Sequence, residues 1–147
     1  MSIFIDSCVF FGVNSKNDAH HAEAVHLLKF ALSGRGGTVY TSDYVFDETV
    51  TLARVRTRNA EISLTIGKAI IESPRVILLR VDEEVFNKSW DIFNEYCSRG
   101  LSFTDCTSIA LVKTYDIDTI LSFDSRFDGI INRNIYDHSD VLPAVSQ

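Results

Sequence analysis

Ile3-Phe4-Ile5-Asp6-Ser7 is the stretch that decides how the rest of the chain is read. Three apolar residues run directly into an acid and a hydroxyl. A short unbroken apolar run reads as a strand buried on both faces, as in the middle of a parallel sheet. Open α/β sheets gather their chemistry outside the carboxyl ends of the strands. Asp6 stands at such an end, so the remaining sequence is read for partners that reach the same edge.

Residues 7–18 read as a connection over that edge, with Asp18 available to cap the next helix. Ala22, Val25, Leu28 and Leu32 give that helix one apolar face. Gly34, Gly36 and Gly37 stop it, and no Lys-Ser or Lys-Thr follows to make them a phosphate cradle. Residues 38–41 form a second strand. Ser42 or Asp43 caps a helix to about Arg58, which puts Glu48 in its second turn, near the carboxyl end of that strand. Asn59 restarts the chain, Ile62, Ile66, Ala69 and Ile70 make a further helical stripe, and Ser73-Pro74 ends it. Residues 76–79 form a third strand. Asp82, Glu83 and Glu84 open a helix with a buried stripe of Phe86, Trp90, Phe93 and Cys97, closed by Gly100. Thr104 reads as an N-cap and Asp105 as the first helical residue, where free N–H groups favour a carboxylate. Residues 119–123 form a fourth strand that ends in Asp124, the arrangement of Asp6 repeated. Residues 126–129 make a turn, and either 130–131 or 134–136 supplies an edge strand. The tail after Asp137 is expected to be peripheral.

The 147 residues are enough for one α/β domain, 46% of them are apolar, and no window is long and apolar enough for a membrane span. Three cysteines without a CxxC, and a start without a secretory pattern, predict a reducing cytoplasm. A formal charge of -6 argues against a broad basic nucleic-acid face and for carboxylates gathered at one place. Asp6, Glu48, Asp105 and Asp124 are the candidates. Close carboxylates in a low-dielectric pocket repel one another, and a hard divalent cation relieves them. Oxygen ligands suit Mg²⁺ or Mn²⁺ rather than zinc. Such a site orients a water and neutralises a phosphodiester.

The pieces Phe4-Ile5-Asp6-Ser7, Phe46-Asp47-Glu48-Thr49, Leu101-Ser102-Phe103-Thr104-Asp105 and Leu121-Ser122-Phe123-Asp124-Ser125-Arg126-Phe127, in that order and spacing, resemble the PIN-domain family, most of all the VapC-type toxin ribonucleases of toxin–antitoxin pairs. The resemblance spans nearly the whole chain. It implies a single PIN-like nuclease domain over 1–147, a three-layer α/β/α fold and a central parallel sheet of about five strands. It implies an endoribonuclease dependent on Mg²⁺ or Mn²⁺, with Asp6, Glu48, Asp105 and Asp124 as the acids. Ser7 or Thr104 is the supporting hydroxyl and Asp128 an outer acid. Ser7 departs mildly from the family, where Asn or Thr is common. A homodimer and a VapB-like antitoxin are implied partners, the latter on the helix of Glu48 and the paired helices after it. Val45, Leu52, Ile62 and Ile66 are expected to be only partly used by the core.

Arg54 and Arg58, four residues apart on one helix face, and Arg126, beside Asp124, are candidate contacts to RNA phosphates. His20 and His21 point in different directions and read as surface or loop residues. A haloacid-dehalogenase-type hydrolase would need an acid where Cys8 stands, and a receiver domain would need a strand-end Lys where Lys113 lies within a helix. A stand-alone RNA-processing nuclease and a non-catalytic metal-binding or interaction domain of the same fold are the alternatives kept.

Overall fold

The computed structural model describes residues 1–136. Its elements are β1 (Ser2–Ile5), α1 (Ser7–Asn14), α2 (His21–Leu32), β2 (Thr38–Ser42), α3 (Asp43–Thr57), α4 (Ala60–Glu72), β3 (Val76–Leu79), α5 (Glu83–Glu95), α6 (Phe103–Thr114) and β4 (Thr119–Leu121), with single 3-10 turns at Cys97–Arg99 and Ser125–Phe127. The four strands are parallel, in the order β3-β2-β1-β4. Helices flank the sheet in a three-layer α/β/α arrangement. No helix among the described residues is long and apolar enough to cross a membrane.

The reading of residues 3–5 follows from their burial. Ile3, Phe4 and Ile5 have no exposed surface, and β1 is hydrogen-bonded on both sides. From β1 the chain proceeds to β2 and β3 on one side, and β4 lies on the other. The sheet therefore reverses direction between β1 and β4, and a crevice opens outside their carboxyl ends. Asp6 and residues 122–124 leave the sheet at that crevice.

Several local expectations are corrected. Among the described residues the sheet has four strands. Arg133 makes an isolated parallel bridge to Ile120 where either 130–131 or 134–136 was expected as an edge strand. Residues 7–14 are a helix, not a connection: Asp6 is its N-cap and accepts from the Ser7 N–H. Asp18 does not cap α2 but receives the His20 N–H at 2.8 Å. The buried face of α2 is Ala24, Leu27, Phe30 and Ala31, one step around from the expected stripe. On α5 the inner positions are Val85 and Ser89, whereas Phe86, Trp90 and Cys97 are exposed. Packing against α6 selects that face, and aromatic size alone does not. Val45 and Ile66 are fully used by the core, while Leu52 and Ile62 are half-buried. Asp137, His138 and the tail lie outside the described residues.

Gly37 shows how tightly β1 is seated. It has φ +80°, and a Cβ there would collide with the backbone of Met1. Gly129 has φ +82° with nothing within 4 Å of its would-be Cβ. Gly129→Ala should therefore cost only backbone strain, about 1 kcal/mol, and Gly37→Ala clearly more, because β1 must shift. Urea unfolding of the two variants side by side checks the difference.

Candidate active site

Asp6, Ser7, Glu48, Ser102, Asp105, Asp124 and Arg126 line one cavity of about 730 Å³ at the crevice between β1 and β4. Each arrives there for a local reason. Asp6 ends β1 and caps α1: its Oδ1 accepts the Ser7 N–H at 2.8 Å, and its Oδ2 accepts the Ser122 hydroxyl at 2.7 Å. Ser122 in turn receives the Asp124 N–H at 3.0 Å, which ties the ends of β1 and β4 together. Asn134 clamps Ser122 by donating to its carbonyl at 2.8 Å and accepting its N–H at 3.0 Å. Ser42 caps α3, which brings Glu48 to the cavity, where the Ser7 hydroxyl donates to Glu48 Oε1 at 2.5 Å.

Asp105 is held differently from expectation. The N-cap of α6 is Ser102, not Thr104, and Asp105 is the third helical residue. The two form a capping box: the Asp105 N–H donates to Ser102 Oγ at 3.0 Å, and the Ser102 N–H to Asp105 Oδ2 at 2.9 Å. Thr104 does not line the cavity, whereas Ser102 and Ser7 do. Asp124 meets Arg126 through Nε at 2.9 Å and Nη2 at 2.6 Å, while Arg126 Nη1 reaches the Gly100 carbonyl. Asp128 pairs with Arg133 at 2.8 Å and does not line the cavity. Arg54 and Arg58 are exposed and do not line it either. Arg56 does, with its guanidinium 5.1 Å from the centre of the Phe11 ring.

The electrostatics follow from burial and pairing. Burial, reinforced by the charges of Asp105 and Glu48, pushes the Asp6 carboxyl up to about 7 against the opposing bonds from Ser122 and Ser7. Burial also raises Asp105, with Asp124 adding to it and Ser102 opposing. The hydrogen bonds from Arg126 lower Asp124. Burial pushes the Cys8 thiol up to about 12, so it stays a protonated, poor nucleophile.

Among the described residues, no three His, Cys, Asp or Glu side chains are grouped closely enough to hold a metal. The donor chemistry nonetheless fits a hard divalent cation. The acids offer oxygen only, Asp6 and Asp105 are short of positive charge, and a carboxylate with one hydrogen bond, as on Glu48 and Asp105, keeps lone pairs for a ligand. Asp124, gripped by Arg126, is the member most occupied.

A description of the PIN domain matches residues 3–131. The chain belongs to the PIN-domain family. A VapC ribonuclease of Archaeoglobus fulgidus is 30% identical over 128 residues, which are 86% of this chain and 80% of that protein. The 23S rRNA-specific endonuclease VapC20 of Mycobacterium tuberculosis is 27% identical over 127 residues, 86% of this chain and 92% of that one. The crystal structure of VapC20, described as a Sarcin-Ricin loop cleaving toxin, superposes with a TM-score of 0.75 at 26% identity, covering 85% of this chain and 92% of that chain. FitAcB from Neisseria gonorrhoeae shares the fold alone, with a TM-score of 0.63 at 18% identity, over 89% of this chain and 95% of that chain.

Sequence reasoning missed Ser102, Ser122, Asn134, Arg56 and His20. The spacing of Ser102 and Asp105 was the available signal for the first, since a capping box needs an acceptor three residues after the cap. The contacts of Ser122 and Asn134 are made across the fold and leave no local pattern.

The raised Asp6 sets a pH dependence. A carboxyl at about 7 in the folded state and near 3.8 unfolded means that the folded protein binds more protons between those values. Stability of the metal-free protein should therefore fall as pH rises from about 4 to about 7, by roughly a few kcal/mol at most, and level off above that. D6N should flatten that slope. Thermal unfolding in EDTA across this range measures it.

Proposed function

We propose that the protein is a Mg²⁺- or Mn²⁺-dependent endoribonuclease that hydrolyses RNA phosphodiesters with an activated water, as the toxin of a type II toxin–antitoxin pair. The observation that carries this reading is the placement of Asp6, Glu48, Asp105 and Asp124 on one cavity at the reversal point of the sheet. Family membership and the similarity to VapC ribonucleases support the reaction class.

Asp6, Glu48, Asp105 and Asp124 would hold the cation. When bound, it supplies positive charge to the phosphate and raises the hydroxide fraction of a water. Asp6 is kept in place by Ser122 and Ser7, Glu48 by Ser7, Asp105 by Ser102 and Asp124 by Arg126, so all four acids are oriented before any ligand arrives. Arg126 offers a guanidinium to a phosphate oxygen at the same edge. The described residues lining the cavity include no Ser-His-Asp constellation, and water is the nucleophile in this reading.

A homodimer and a VapB-like antitoxin belong to the same proposal. Exposed Phe86 and Trp90, with Phe93 and Phe103 in ring contact beside them, and half-buried Leu52 and Ile62 offer the apolar area that such contacts use.

Asp105 separates chemistry from structure. D105N keeps an oxygen for the Ser102 N–H, whereas D105A removes it. Both should lose RNA cleavage by about two orders of magnitude or more, but only D105A should lose the capping bond, about 1 kcal/mol. Initial rates on total RNA with Mg²⁺, Mn²⁺ or EDTA, beside urea unfolding, test this. Full cutting in EDTA after exhaustive metal removal, or by folded D105N, contradicts the proposal.

A further inference from the structure

The rim of the acidic cavity carries a feature that the metal chemistry does not use. His20 stacks on Phe123 with ring centroids 4.4 Å apart and planes 8° from parallel. Both residues line the cavity. Phe123 sits between Ser122, which holds Asp6, and Asp124, so the stack is fastened to the acidic strand end itself.

The stack is built rather than incidental. The Phe123 N–H donates to Cys8 Sγ at 3.4 Å, and the His20 N–H donates to Asp18 Oδ1 at 2.8 Å. The neighbouring His21 ring bonds the Gly12 carbonyl at 2.7 Å. Gly12 lets α1 and α2 come close enough for this: a Cβ there would stand 2.9 Å from the Ala24 Cβ and 3.9 Å from the Phe123 ring. One face of the His20 imidazole is thus covered by Phe123, while 53% of its side-chain surface stays exposed, and its Nδ1 lies 3.8 Å from Glu23. A flat ring, fixed in orientation and open to solvent beside the acids, is the arrangement on which unpaired nucleobases stack. Arg56, held over Phe11 on the same cavity lining, is a cation placed where a backbone phosphate can meet it.

We propose that the His20–Phe123 stack is a platform for one unpaired nucleobase of the RNA, with Arg56 as a phosphate contact beside it. The proposal rests on the nuclease reading above and deepens it: the substrate segment is single-stranded or splayed where it crosses the site. Stacking orients the strand without choosing among bases, because every base has a π-face.

The test is fluorescence anisotropy with the full chain in EDTA, so that binding is read without cleavage. The probes are a short single-stranded RNA and an abasic strand of the same length. H20A should weaken binding of the base-bearing strand by about five-fold or more and leave the abasic strand unchanged. H20F should bind like wild type, since a ring is what is needed. R56Q should weaken both strands and lower the salt dependence by about the share of one phosphate. Folded H20A that binds the base-bearing strand like wild type overturns the proposal, as does an equal loss on both strands or an H20F as weak as H20A. Failure of wild type to bind either strand overturns the platform, whereas the nuclease reading stands or falls on the metal-dependent cleavage assay above.

Discussion

The burial of Asp6 is the constraint on which the rest of this structure depends. A carboxyl with 4% exposure at the end of the central strand must be fully hydrogen-bonded or it destabilises the fold. Its partners come from both directions of the chain: Ser7 immediately after it, and Ser122 from the other side of the reversal point. Meeting that requirement starts α1, because Asp6 becomes its cap. It also fixes the exit of β4, because Ser122 cannot move without releasing Asp6. The neighbours of Ser122 are then committed, with Phe123 directed to His20 and Asp124 to Arg126.

Such a site is under tension in the absence of a positive ligand. Asp6 and Asp105 are raised by burial and by the other acids, and Arg126 compensates mainly Asp124. The fold tolerates this because each raised carboxyl has dedicated donors. Removing a donor therefore differs from removing a charge: losing Ser122 would orphan a buried acid, whereas neutralising Asp6 would relieve it. The chain's formal charge of -6 has a local counterpart, with several of its carboxylates gathered at one edge of the sheet.

The strands and the order of the acids were legible because strand burial and strand-end acids leave short, local patterns. Residues 3–6 read correctly for that reason, and the fourth strand read correctly in its start, although β4 ends at Leu121 and Asp124 caps the turn that follows. Residues 7–14 did not: Cys8-Val9-Phe10-Phe11-Gly12 is apolar all round, so no helical period stands out, and the helix is there because Asp6 caps it. On α5 the aromatic stripe looked like a core face, yet the smaller Val85 and Ser89 are the residues that fit against α6. Thr104 read as the cap, whereas the reciprocal bond between Ser102 and Asp105 sets the cap two residues earlier. Arg54 and Arg58 attracted notice by their spacing, while Arg56, between them, faces the cavity. His20 and His21 read as divergent surface residues. His21 anchors α2 to Gly12, nine residues before it, and His20 stacks at the cavity rim on Phe123, a contact distant in sequence.

The central claim is that the acids at this edge hold a divalent cation. Crystals grown with Mn²⁺ and examined at a wavelength where manganese scatters anomalously test it most directly. The account expects a peak among Asp6, Glu48, Asp105 and Asp124, with carboxylate oxygens roughly 2.0–2.3 Å from it and the grip of Arg126 on Asp124 loosened. A fully metal-equilibrated crystal with no peak in this cavity, or with manganese bound only elsewhere, would contradict it.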